Sequence, residues 1–134
     1  MKRAIFIAII LAFSNLYGSN DMKIYVKANN NTVVFKLNNS TASKELYSQL
    51  PLKIKVENYS TNEKIFYPPN KLSTSNTPMS NAKNGTLAYY APWGNVVMFY
   101  KDFGTGSGLF ELGSVESGKE DIPNLFGTIE ITKD

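Results

Sequence analysis

Across residues 22–28 apolar and polar positions alternate, with Ile24, Val26 and Ala28 on one side of the chain and Lys23, Tyr25 and Lys27 on the other. A period of two predicts a half-buried strand. Asn29-Asn30-Asn31 supplies residues tolerant of positive φ, and a β-rich run follows at 32–37, so an opening hairpin is expected. The period then changes. Ala42, Leu46 and Leu50 recur at helical spacing behind the capping candidates Asn39-Ser40-Thr41, which predicts one short helix over 42–50, stopped by Pro51.

Alternation returns at 52–59, where Leu52, Ile54 and Val56 face inward between Lys53, Lys55 and Glu57. A short strand at 63–67 ends on Pro68-Pro69, and residues 73–85, almost all Ser, Thr, Asn, Pro and Gly, predict a long surface loop that could rim a site. Two near-continuous apolar runs, 85–91 and 96–100, flank Pro92-Trp93-Gly94-Asn95. They read as a central hairpin buried on both faces. A glycine-rich loop at 102–108, a short strand at 109–112, a turn at 113–119, one helical turn at 120–124 and a strand at 127–132 complete the chain. Short strands at regular spacing with a single helix predict a small, mostly β barrel.

The N-terminus is patterned differently. Lys2-Arg3 precede an uncharged apolar run from Ala4 to Phe13, the order of an export signal. Ten residues fall short of the roughly 20 that span a membrane, and no second apolar stretch follows. Residues 1–18 are therefore expected to be a cleaved signal peptide, with the cleavage site placed to within a few residues, and residues 19–134 the domain. The expected location is periplasmic or secreted, with no stable membrane anchor after processing.

Composition then narrows the chemistry. The chain has no His and no Cys, and its single Arg, Arg3, lies in the leader. A Ser-His-Asp triad, a thiolate nucleophile and a Cys/His zinc site cannot be built from what remains. No catalytic residue, metal or cofactor is assigned, and a binding role is expected ahead of an enzymatic one. Loss of Lys2 and Arg3 lowers the formal net charge from +3 to +1, and the remaining lysines are scattered, so nucleic acid is not an expected partner.

Candidate binding residues come from the aromatic stretch. Trp93 lies at a turn and Phe103 at a loop start, where large rings are available to a ligand, whereas Phe99 and Tyr90 lie inside strands and are assigned to the core. Tyr89, Tyr100, Asp102 and Glu63 join Trp93 and Phe103 as the candidate set for an unknown small molecule or peptide. Glu57, Glu63, Asp102 and Glu111 could pair as acid and base only if the fold opposed two of them, and solvated faces or caps explain them more simply. Gly104-Thr105-Gly106-Ser107-Gly108 lacks the Lys-Ser/Thr pair and the following helix of a phosphate loop; a mobile loop is expected.

Several stretches taken together resemble the bacterial cyclophilin-like domain family. They are Ala42-Ser43-Lys44-Glu45-Leu46-Tyr47 with Gln49-Leu50-Pro51, Glu57-Asn58-Tyr59, Glu63-Lys64-Ile65-Phe66-Tyr67, the run from Gly85 through Ala91-Pro92-Trp93-Gly94, and Gly108-Leu109-Phe110-Glu111-Leu112-Gly113. The resemblance runs in order over 22–132. It implies a closed cyclophilin-like β-barrel with one short α-helix, in a family whose activity is not established. Cyclophilins proper isomerise prolyl bonds with a positioned Arg that weakens amide resonance. Residues 19–134 contain no Arg, so the likeness implies the shape alone, and the alternatives to a binding role are a prolyl isomerase with a non-standard active site and a structural or interaction module.

Overall fold

The opening hairpin forms as its pattern predicts. In this computed structural model, which describes residues 21–133, β1 (Lys23–Ala28) pairs with β2 (Asn31–Leu37), and Asn29 and Asn30 make the turn at φ 55° and 64°. Both φ values lie in the left-handed region that Asn enters at low cost, which is the geometry a two-residue hairpin needs. The expected signal segment falls within residues 1–20, outside the described residues.

Six further strands follow: β3 (Leu52–Tyr59), β4 (Glu63–Phe66), β5 (Thr86–Tyr90), β6 (Asn95–Phe99), β7 (Leu109–Ser117) and β8 (Gly127–Thr132). All pairings are antiparallel, and the order β1-β2-β7-β5-β6-β4-β3-β8 closes on itself as a barrel. The last strand seals the first: Tyr25 faces Thr132 and Lys27 faces Glu130. The molecule is thus the small, mostly β barrel that the spacing of strands predicts, closed as the family resemblance implies.

Helix α1 (Thr41–Ser48) begins where Ser40 accepts the Ser43 N–H on its hydroxyl at 3.2 Å, relieving one of the unpaired donors of the first turn. Ala42 and Leu46 enter the barrel's interior cluster with Ile24, Phe35, Leu87 and Met98. The Ser43 hydroxyl donates to the Leu112 carbonyl at 2.8 Å and fixes the helix to β7. A 3₁₀-helix, Lys119–Asn124, supplies Ile122 to the same interior.

One strand runs past its expected end. Residues 113–119 read as a turn, yet β7 continues to Ser117, and Gly113 pairs with both Leu37 and Leu87 inside the sheet. A Cβ at Gly113 would collide with the Lys36 carbonyl oxygen of β2. The glycine serves close approach of two backbones rather than a change of direction. The helix, conversely, ends two residues before Leu50, whose side chain is still buried in the core.

Among the described residues one charged side chain is buried. Lys64 lies on β4 opposite Met98 and is only 5% exposed, in no ion pair or side-chain hydrogen bond among the described residues. Burial lowers its pKa from the usual lysine range.

Candidate functional site

Successive strand residues point to opposite faces, and in the wall formed by β4, β6 and β5 both faces are covered. Phe66, Val96, Met98, Leu87 and Tyr89 point into the barrel. Ile65, Val97, Phe99 and Ala88 form a second, smaller cluster with Leu109 and Ala82 on the other side, packed against Tyr90. That outer face carries a cavity of about 430 Å³. The size falls in the range of small-ligand sites.

Strand register builds its floor from two rows. Tyr59 on β3 faces Glu63 on β4, which faces Phe99 on β6. Asn95 on β6 faces Tyr90 on β5, which faces Leu109 on β7. Val97 lies between the rows, and all seven side chains line the cavity. The remaining wall comes from loops: Trp93 from the β5–β6 turn, and Phe103, Gly106 and Ser107 from the segment before β7.

The rings are arranged edge to face. Trp93 meets Tyr59 at 5.2 Å between centroids with an interplanar angle of 81°, and Tyr90 at 5.5 Å and 77°. Phe103 tilts over Phe99 at 5.3 Å. Edge-to-face pairs of this kind hold their partners by about 0.5–1.5 kcal/mol beyond area burial, so the aromatic rim is pre-positioned. Trp93 and Phe103 nonetheless remain 47% and 51% exposed.

The two loops are locked to each other. Gly108 adopts φ +81°, and a Cβ there would strike the Pro92 ring beside Trp93, so only glycine lets the chain pass. The Ala91 N–H donates to the Gly108 carbonyl at 2.9 Å across the same contact. Behind them the Ala82 and Phe103 N–H groups donate to the Gly104 and Ala82 carbonyls, at 2.8 and 2.9 Å.

Electrostatically the cavity is one-sided. Glu63 has no ion pair or side-chain hydrogen bond among the described residues, and burial of its carboxyl raises its pKa above the ordinary range. Asn95 is 2% exposed, and its side-chain oxygen is buried with no hydrogen-bond partner. No lysine lines the cavity. No group of three or more acidic, His or Cys side chains is placed to hold a metal among the described residues.

Of the six residues singled out in the sequence, the fold gathers Trp93, Phe103 and Glu63 around this cavity. The other three lie elsewhere. Tyr89 is 1% exposed and points into the barrel, where the Leu72 N–H donates to its hydroxyl at 3.0 Å. Tyr100 packs against the interior cluster, and the exposed Asp102 accepts the Asn84 N–H at 2.8 Å, holding a loop. Residues 73–85 buttress the 102–108 loop through Ala82 instead of rimming the cavity. Tyr90 and Phe99, assigned to the core, do belong to the smaller outer cluster, Phe99 within it and Tyr90 packed against it, and both also line the cavity. Tyr59 and Asn95 were missed, although a lone Asn in the apolar run 95–99 is a readable signal. Of the other carboxylates, Glu111 accepts the Ser80 hydroxyl at 3.2 Å, and neither it nor Glu57 reaches the cavity beside Glu63.

The solution structure of a hypothetical protein from Archaeoglobus fulgidus shares this fold, with a TM-score of 0.66 over 85% of this chain and 95% of that one at 12% identity. No curated protein sequence matches the chain. The family pattern that does match covers residues 26–133, from inside β1 to the end of β8. The chain therefore belongs to the Cyclophilin-like family.

Proposed function

We propose that this protein is an exported binding module that takes a small molecule in the cavity on its outer wall. The observation that carries the reading is the combination of half-exposed rings at Trp93 and Phe103 with a carboxyl and an amide left without partners at Glu63 and Asn95. A folded protein tolerates unpaired buried polar groups at a cost of about 1–3 kcal/mol each, and a ligand that pairs them recovers it. Every barrel strand has two neighbours, so a small ligand in the cavity is favoured over an extended partner added to a sheet edge. Prolyl isomerisation is disfavoured because the cavity offers a carboxyl and an amide where cyclophilins use a guanidinium.

The test is a fragment screen by heteronuclear NMR on the purified protein, repeated on Trp93→Ala and Phe103→Ala. Hits are expected to shift cavity resonances and to lose about tenfold or more in affinity in both variants, while the melting temperature falls by only a few degrees. Unchanged affinity in the folded variants would remove the cavity from consideration. Export rests on the basic start and the short apolar run, and intact-mass measurement of secreted material is expected to show loss of about 18 residues.

A further inference from the structure

We propose that the cavity recognises an ammonium group carried on a small apolar body. The inference rests on the reading of this cavity as a binding site and adds the chemistry of its ligand. Three observations carry it, and they concern different atoms.

The first is the shape of the ring cluster. Tyr59 and Tyr90 both stand nearly perpendicular to Trp93, at 81° and 77°, with centroids 5.2 and 5.5 Å away. All three electron-rich rings line the cavity, and they are the side chains that surround alkylated ammonium groups, with the indole the strongest contributor. Lined only by aliphatic residues, such a space would select for size alone.

The second is the sign of the unmet polar groups. Glu63 lies in register with Tyr59, its carboxyl partly withdrawn from water with no cation to answer it. Desolvation alone raises its pKa, which means the free protein disfavours the carboxylate. A bound cation reverses that preference. A neutral ligand leaves the carboxyl as it is, and an anion is repelled once it ionises.

The third is Asn95, across the floor in register with Tyr90. Its side-chain oxygen is an acceptor buried without a donor, so a ligand or a water it carries gains by presenting N–H or O–H hydrogens. Valine, phenylalanine and leucine side chains at Val97, Phe99 and Leu109 accept the apolar body. Cage, carboxyl and acceptor thus agree on one ligand class.

Three probes of similar size separate the possibilities: benzylammonium, benzyl alcohol and benzoate, titrated at neutral pH into the whole protein and followed by NMR. The ammonium is expected to bind about tenfold or more tightly than the alcohol, with benzoate weakest. Glu63→Gln should lower ammonium affinity about fivefold to tenfold and leave the alcohol unchanged. Trp93→Leu, which keeps apolar bulk and removes the π-face, should likewise reduce the ammonium more than the alcohol. Equal binding of all three probes in the cavity would overturn the ammonium inference while leaving the binding site in place. Failure of all three to perturb cavity resonances would overturn both.

Discussion

Glu63 and Lys64 are consecutive residues on opposite faces of one barrel wall, and each carries a charge that no ion pair meets among the described residues. Glu63 opens onto the aromatic cavity, and Lys64 lies against the interior at 5% exposure. Lys64 is flanked in register by Asn58 on β3 and Met98 on β6, and it lines no part of the aromatic cavity. Around Glu63 a second polar group, Asn95, is also unpaired. A solitary buried charge is a local defect tolerated by the fold. Two unpaired acceptors beside exposed rings are a surface prepared for something else.

The largest test of this contrast is deletion of ring mass on either face. Phe66→Ala empties interior volume and is expected to cost about 3–5 kcal/mol in urea unfolding, whereas Phe103→Ala on the outer rim should stay within about 1 kcal/mol. Equal losses would mean that the rim is part of the core. Next is the pair of neighbouring tyrosines. Tyr89→Phe strands the buried Leu72 N–H and is expected to cost about 1–2 kcal/mol, while Tyr90→Phe, which breaks no such bond, should be within about 0.5 kcal/mol.

Smaller effects sharpen the comparison through their opposite dependence on pH. Lys64 has a lowered pKa in the folded state, so its penalty is full at neutral pH and disappears as pH rises to the ordinary lysine value of 10.5. Lys64→Met should therefore stabilise by about 1 kcal/mol at neutral pH, with the gain shrinking in the alkaline range. Glu63 has a raised pKa, so its penalty is absent below the ordinary carboxyl range and full above the raised value. Glu63→Gln should gain at most about 0.5 kcal/mol at neutral pH, because the group is partly open to water, and nothing at about pH 3. Denaturant titrations of both variants at several pH values check the two signs independently.

Legibility in the sequence followed the one-sidedness of each strand. β1 and β3 have one wet face, so alternation fixed their orientation, and Asn29-Asn30 and Ser40 marked a turn and a helix start by their side-chain chemistry. β5 and β6 are covered on both faces, and there an apolar run carries no parity to read. Tyr89 and Tyr90 are the same residue type side by side, and only the barrel's closure decides which one faces inward. Gly113 misled for a related reason: a glycine demanded by a neighbouring backbone looks, in one dimension, like a glycine demanded by a turn. Trp93 and Phe103 stood out because turns and loop starts leave large rings without a sheet to cover them.

Because β8 pairs with β1 as well as β3, the hydrogen-bonding circuit stays open until the final strand exists. Val26 waits for Ile131 across nearly the whole chain, and a contact between such distant residues is slow to form. Throughout synthesis the emerging chain is an unsealed sheet with two free edges, which can be threaded through a narrow channel and can also pair with the wrong neighbour. The arrival of Gly127–Thr132 ends both conditions at once. The position of that strand acts as a clock, setting the moment at which an open sheet becomes a sealed body.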